Sequence, residues 1–177
     1  SPWTAKLREW QARAVSGVLT HARPDFLATA TPASGKTRFA LRIAHQYLAD
    51  RVASRVLVIC PTNHLRRQWS TAAGLVGIHL DPALTNEQAI EARDYHGAVV
   101  TYQQVCLAPD VFQRACRSRP TLLIFDELHH AGEGKDWGNA LREAFEEAVF
   151  RLALSGTPFR SDNNPIPYVR YEQGESQ

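Results

Sequence analysis

The triplet Gly35-Lys36-Thr37 lies between two stretches of different periodicity, and that placement constrains the fold more than any other feature of the chain. Before it, Phe26-Leu27-Ala28-Thr29-Ala30 is short and apolar, as a strand is. After it, Phe39, Ile43, Tyr47 and Leu48 recur at helical spacing and form one apolar face. A strand that turns directly into a helix presents unpaired amide N–H groups at the positive end of the helix dipole. The segment Ala30-Thr31-Pro32-Ala33-Ser34-Gly35-Lys36-Thr37 keeps the spacing G-x-x-x-x-G-K-[ST], with Ala30 in place of the leading glycine. Gly35 permits the turn, Lys36 places a point charge on the β- and γ-phosphates, and the Thr37 hydroxyl suits Mg²⁺. Pro32, Ala33, Ser34 and Arg38 complete the candidate phosphate cradle. The plain alternative is a loop-to-helix turn that happens to contain glycine and lysine.

A second polar segment follows the apolar run Leu122-Leu123-Ile124-Phe125. Asp126 at the strand end is placed to hold Mg²⁺, and Glu127 beside it to orient or deprotonate an attacking water. Two adjacent acids can also be a solvated strand cap, but behind a phosphate loop they read as the other half of an ATP site. His129 and His130 lack the H-E-x-x-H spacing of a zinc site. His129 is expected to link the γ-phosphate region to a neighbouring loop by hydrogen bonds.

Further apolar runs repeat the alternation. Arg55 to Cys60, Ala98 to Tyr102, Thr121 to Phe125 and Arg151 to Leu154 read as strands. His64 to Ala73 and Trp137 to Val149 read as helices, the latter with Leu141, Phe145, Ala148 and Val149 on one face. Strands separated by helices predict an α/β fold, a doubly wound and mostly parallel sheet flanked by helices. Right-handed crossovers then bring the polar segments after five strands to one edge, where open α/β sheets bind ligands.

The 177 residues suffice for one domain with a real core, and 44% hydrophobic with 21% charged content is an ordinary globular balance. A net charge of +2 permits a nucleic-acid partner without requiring one. Three cysteines without a C-x-x-C argue against a disulfide framework and for a reducing, intracellular (cytoplasmic) setting. No apolar run approaches the roughly 18 residues of a membrane span, so no membrane partner is expected. The absence of methionine and the start at Ser1 point to a piece of a longer protein.

With these segments in place, the chain resembles the superfamily 2 helicases and translocases of DExH type, closest to the excision-repair, restriction-motor and phage-helicase branch. The likeness runs from about Leu7 to Arg160 and rests on six segments in family order. Ala30 to Thr37 resembles motif I, Pro61 to Trp69 motif Ia, Asp126-Glu127-Leu128-His129 motif II, and Ser155-Gly156-Thr157-Pro158 motif III. Thr101-Tyr102-Gln103 resembles the segment preceding motif II, and Leu7-Arg8-Glu9-Trp10-Gln11 the element that reads adenine.

The resemblance implies a P-loop NTPase, RecA-like domain over 1–160 that uses ATP and Mg²⁺, with Glu127, Asp126, Lys36 and His129 as catalytic residues. It implies that the Gln11 amide pairs with adenine, with Arg8 near the base or the phosphates and Trp3 as a candidate stacking aromatic. Thr62, Arg66, Arg67, Gln68, Thr101, Tyr102 and Gln103 would contact a nucleic-acid strand, Tyr102 by stacking a base. Ser155, Gly156 and Thr157 would couple the two sites. The implied activity is a motor that moves on or unwinds DNA, with RNA as the alternative strand. Such motors close a second RecA-like domain, source of the arginine finger, over the ATP; residues 161–177 would be a linker or edge extension toward it. The competing classes are a non-catalytic nucleotide-binding or protein-interaction module and a P-loop phosphotransferase.

Overall fold

The computed structural model describes residues 3–20, 24–29, 35–82, 95–128 and 137–156. Six strands are present: β1 (Asp25–Thr29), β2 (Arg55–Cys60), β3 (Leu80–Asp81), β4 (Gly97–Thr101), β5 (Thr121–Asp126) and β6 (Phe150–Ser155). They form one sheet in the order β1-β6-β5-β2-β4-β3, and every neighbouring pair is parallel. The helices are α1 (Glu9–Leu19), α2 (Lys36–Ala49), α3 (Asn63–Leu75), α4 (Tyr102–Leu107), α5 (Pro109–Ser118) and α6 (Trp137–Phe145).

Successive residues of a strand point to opposite faces, and here both faces are covered. Val56, Val58 and Cys60 of β2 join Leu122, Ile124, Leu152 and Leu154 under α1, α2 and α3. Leu57 and Ile59 join Leu123, Phe125 and Ala153 under α4, α5 and α6. Double coverage explains why β2 and β5 are near-continuous apolar runs rather than alternating ones. Among the described residues no helix is long and apolar enough to cross a membrane.

Several boundaries differ from the sequence expectation for identifiable reasons. The third expected strand ends at Thr101, because the Thr101 hydroxyl accepts the Gln104 N–H and Gln104 Oε1 accepts the Thr101 N–H. That reciprocal cap starts α4 at Tyr102. The last helix stops at Phe145 rather than Val149. The Arg151 guanidinium donates to the Phe145 and Glu146 carbonyls at 2.9 and 3.1 Å and closes the helix end. Val149 is instead 39% exposed and begins the approach to β6, its N–H donating to the Thr121 carbonyl. Arg151 also meets Asp25 Oδ1 at 2.5 Å, which ties β1 to β6 at one end of the sheet.

In-register pairing lines up the strand ends. Cys60 pairs with Thr101, Asp126 with Leu154, and Thr29 with Ser155. The segments expected at one edge therefore leave their strands side by side. Residues 161–177, read as a linker, lie outside the described residues.

Candidate functional site

Gly35 opens α2 in the left-handed conformation, with φ +84°. A β-carbon there would lie 2.3 Å from Gln11 Nε2, so two independent demands exclude a side chain. Gly35→Ala is expected to destabilise the fold by roughly 1–3 kcal/mol from backbone strain alone. Thermal unfolding checks this; an unchanged Tm would mean that neither the left-handed turn nor the close approach matters.

Gln11 itself is 1% exposed and fully engaged. Its Oε1 accepts the Arg8 N–H and its Nε2 donates to the Gly35 carbonyl, both at 2.6 Å. The amide keeps neither end free for adenine in this conformation; it fastens α1 to the turn that opens α2. Arg8 is exposed at the start of α1, and Arg38 is exposed and donates to the Lys6 carbonyl at 3.2 Å. Trp3 packs against side chains of α2. Its ring sits edge-on to His45 at 5.5 Å, with the Arg42 guanidinium 5.6 Å from its centre, along the side of α2.

Lys36 and the two acids come together. The Lys36 ammonium bonds to Glu127 Oε1 and lies 3.4 Å from Asp126 Oδ1. These residues and Thr37 line one side of a cavity of about 370 Å³; Leu65, Gln68 and Trp69 of α3 line the other. Asp126 is 3% exposed. Its Oδ2 accepts the Trp69 indole N–H at 2.8 Å, while Oδ1 is buried without a hydrogen-bond donor among the described residues. A hard divalent cation suits that arrangement: a carboxylate oxygen met by the Lys36 ammonium alone, Thr37 on the same cavity, and space for phosphate oxygens and water.

Burial raises the Asp126 pKa above the ordinary carboxylate value, and Glu127 pushes the same way; the Trp69 N–H and Lys36 oppose them without winning. A raised acid contributes stability that is complete below the ordinary carboxylate value and is lost as pH rises through the folded one. Ionised Asp126 is thus a cost to the fold at neutral pH, of the kind a bound cation relieves. Cys60, near Asp126, is pushed up to about 12 by burial, so it stays a thiol.

Glu127 has φ 51°, a left-handed conformation that non-glycine residues rarely adopt. The turn aims its carboxylate back over the sheet edge, where Oε2 also accepts the Gly156 N–H at 3.5 Å. Gly156 follows Ser155, which is buried at the end of β6, so the third strand-end segment reaches Glu127 through its backbone. Pro32, Ala33, Ser34, His129 and Thr157 lie outside the described residues.

The expected strand-contacting residues divide. Thr62 is exposed and caps α3, accepting the Leu65 N–H at 3.2 Å. Arg67 and Gln68 are exposed, the latter 3.0 Å from His64 Nε2. Arg66 is half-buried and donates to Gln104 Oε1 at 3.0 Å. Of Thr101-Tyr102-Gln103 only Gln103 is exposed. Thr101 is a buried cap, and Tyr102 is 1% exposed with its hydroxyl donating to the Asp126 carbonyl at 2.8 Å. Stacking of a base on Tyr102 is therefore corrected: its ring lies between Phe125 and Trp137, at centroid distances of 6.5 and 6.3 Å. Trp69 belongs to the motif Ia segment, which implies no role for it. Its spacing from Leu65 and Ala73 is that of a core residue, and the one clue is that a buried indole N–H needs an acceptor.

A phosphate-loop lysine bridging two strand-end carboxylates on an all-parallel sheet narrows the families to consider. The model of the type III restriction enzyme res subunit family, ResIII, matches residues 4–160. The chain belongs to the ResIII family. It has the fold of the first RecA-like domain of superfamily 2 helicases. Uncharacterized protein Rv2917 of Mycobacterium tuberculosis is 50% identical over 166 residues, 94% of this chain and 28% of that protein. Among solved structures, the SWI2/SNF2 ATPase core of Sulfolobus solfataricus in complex with dsDNA is similar at TM-score 0.71 and 20% identity, over 88% of this chain and 33% of that one. The Hef helicase domain of Pyrococcus furiosus is similar at TM-score 0.64 and 21% identity, over 88% of this chain and 34% of that one. As a ResIII domain the chain spans 28% of its mycobacterial relative.

Proposed function

We propose that this ResIII domain is the ATP-binding half of a nucleic-acid motor, which couples hydrolysis of ATP to movement on or unwinding of DNA. One observation carries the reading: Lys36 meets both Asp126 and Glu127 on one wall of a cavity at the C-terminal edge of the sheet. Lys36 and the N–H groups at the start of α2 bind the β- and γ-phosphates of the substrate. Asp126 Oδ1 and the Thr37 hydroxyl would hold Mg²⁺, which when bound neutralises phosphate charge. Glu127 accepts a proton from, or orients, the attacking water once Lys36 turns to the phosphates. The Gly156 N–H on Glu127 gives the end of β6 a contact that feels that rearrangement. A second RecA-like domain, with an arginine finger, would complete the site and reset it on opening.

The reading is tested by titrating a fluorescent ATP analogue into the chain with and without Mg²⁺. Binding that ignores Mg²⁺ would remove the metal assignment of Asp126 and Thr37. DNA as the strand is supported by the complex in which the Sulfolobus core was seen and by the exposed Thr62, Arg67, Gln68 and Gln103. Replacing Arg66 and Arg67 by alanine is expected to lower the salt slope of single-stranded DNA binding by about 0.7 for each phosphate no longer neutralised. An identical slope would take both arginines out of the interface, and equal binding of RNA of the same sequence would reassign the strand.

A further inference from the structure

Two hydrogen bonds converge on Asp126 from the segments that carry the proposed strand contacts. From α3, Trp69 donates its indole N–H to Oδ2. From α4, Tyr102 donates its hydroxyl to the backbone carbonyl. Both bonds are 2.8 Å long and buried. An indole is a donor only and can satisfy a single oxygen, so it selects which carboxylate oxygen is left to face the cavity. That oxygen is Oδ1, the one toward Lys36. The Tyr102 bond holds the peptide that leads into the left-handed Glu127. Packing alone does not require this pattern, because a core indole is satisfied equally by a neutral carbonyl.

We propose that Trp69 and Tyr102 are positioning residues for the Asp126–Glu127 turn: Trp69 sets the carboxylate in its metal-accepting orientation and Tyr102 pins its backbone. The inference rests on the Mg²⁺–nucleotide reading above and deepens it. It also joins the two ends of the domain's chemistry. Arg66 reaches Gln104, so α3 and α4 are tied to each other as well as to Asp126. A shift of the α3 start, where Thr62 and Arg67 lie exposed, is transmitted to the carboxylate through one side chain, that of Trp69.

The test uses the 177-residue chain, a fluorescent ATP analogue and Mg²⁺. Trp69→Phe keeps most of the ring and deletes the N–H; Tyr102→Phe deletes only the hydroxyl. Trp69→Phe is expected to raise the Mg²⁺ concentration needed for half-maximal binding by about 10-fold or more, the usual effect of removing the partner that orients a metal ligand. The rise is read relative to each variant's own binding without Mg²⁺, because Trp69 also lines the cavity, and Tyr102→Phe gives a smaller rise. Variants that lose thermal stability yet keep the wild-type Mg²⁺ dependence would overturn the proposal, since that is the signature of packing alone. Should Trp69→Phe not fold, the wild-type chain decides: the assigned Trp69 indole N–H resonance moves on adding Mg²⁺ with nucleotide but not nucleotide alone. A resonance indifferent to Mg²⁺ overturns the role. Wild-type nucleotide binding that never depends on Mg²⁺ is a separate failure, of the nucleotide reading itself, and takes this inference with it.

Discussion

Lys36→Ala is expected to weaken nucleotide binding to this chain by roughly 10–100-fold and, on the proposed reading, to abolish ATP turnover. The binding figure follows from the ~1.5–3 kcal/mol of a hydrogen bond to a charged group. The effect on turnover is larger because Lys36 acts twice. Before substrate arrives it lies between Asp126 and Glu127 and offsets the repulsion of two neighbouring carboxylates. When phosphate enters, the same ammonium is the point charge that positions the transferred group. Removing it leaves two buried or half-buried anions facing an anionic substrate. Titration of the fluorescent analogue and phosphate release measure the two effects separately. Wild-type affinity in the variant would show that the glycine-lysine-threonine turn is only a helix start.

Glu127→Gln separates binding from chemistry. Glutamine has the same length but a single acceptor oxygen, so it keeps either the Lys36 contact or the Gly156 N–H contact and turns its NH₂ toward the other. Nucleotide affinity is expected to stay close to wild type because on the proposed reading Lys36, not residue 127, meets the phosphates. The backbone strain at this position is also unchanged, since neither residue is glycine. What disappears is the group able to take a proton from water, worth typically 10²–10⁴-fold in rate. Single-turnover phosphate release with single-stranded DNA present is the decisive measurement. Turnover at the wild-type rate would send the search for a base elsewhere along the same edge.

The parts of the site that were legible in the sequence are those set by local chain geometry. A strand, a glycine turn and a helix in succession leave little freedom for Lys36 and Thr37, and an apolar run that stops at Asp126 places the acid at the strand end. Parallel pairing does the rest, because it puts those ends in register. Residues whose orientation depends on distant partners were harder. Thr101 and Tyr102 sit where period 2 gives way to period 3.6, and a one-residue change at such a junction turns an outward side chain inward. Gln11 stands out in the sequence only through the family resemblance, and its choice of Gly35 as partner, 24 residues away, is set by how α1 packs on α2. The end of α6 is set by Arg151, which belongs to the next strand. Strand β3, two residues long, carries no pattern from which it could be read.

The left-handed Glu127 has a consequence for how this domain changes over generations. Glycine adopts that conformation without steric penalty, so Glu127→Gly relaxes the backbone by about 1 kcal/mol. The same change removes the Lys36 pair and the acceptor of the Gly156 N–H, and it gives the unfolded chain more freedom. The strained backbone is thus held by the contacts of its own side chain, and a library sorted only for thermal robustness would weigh those contacts and not the chemistry proposed for the carboxylate.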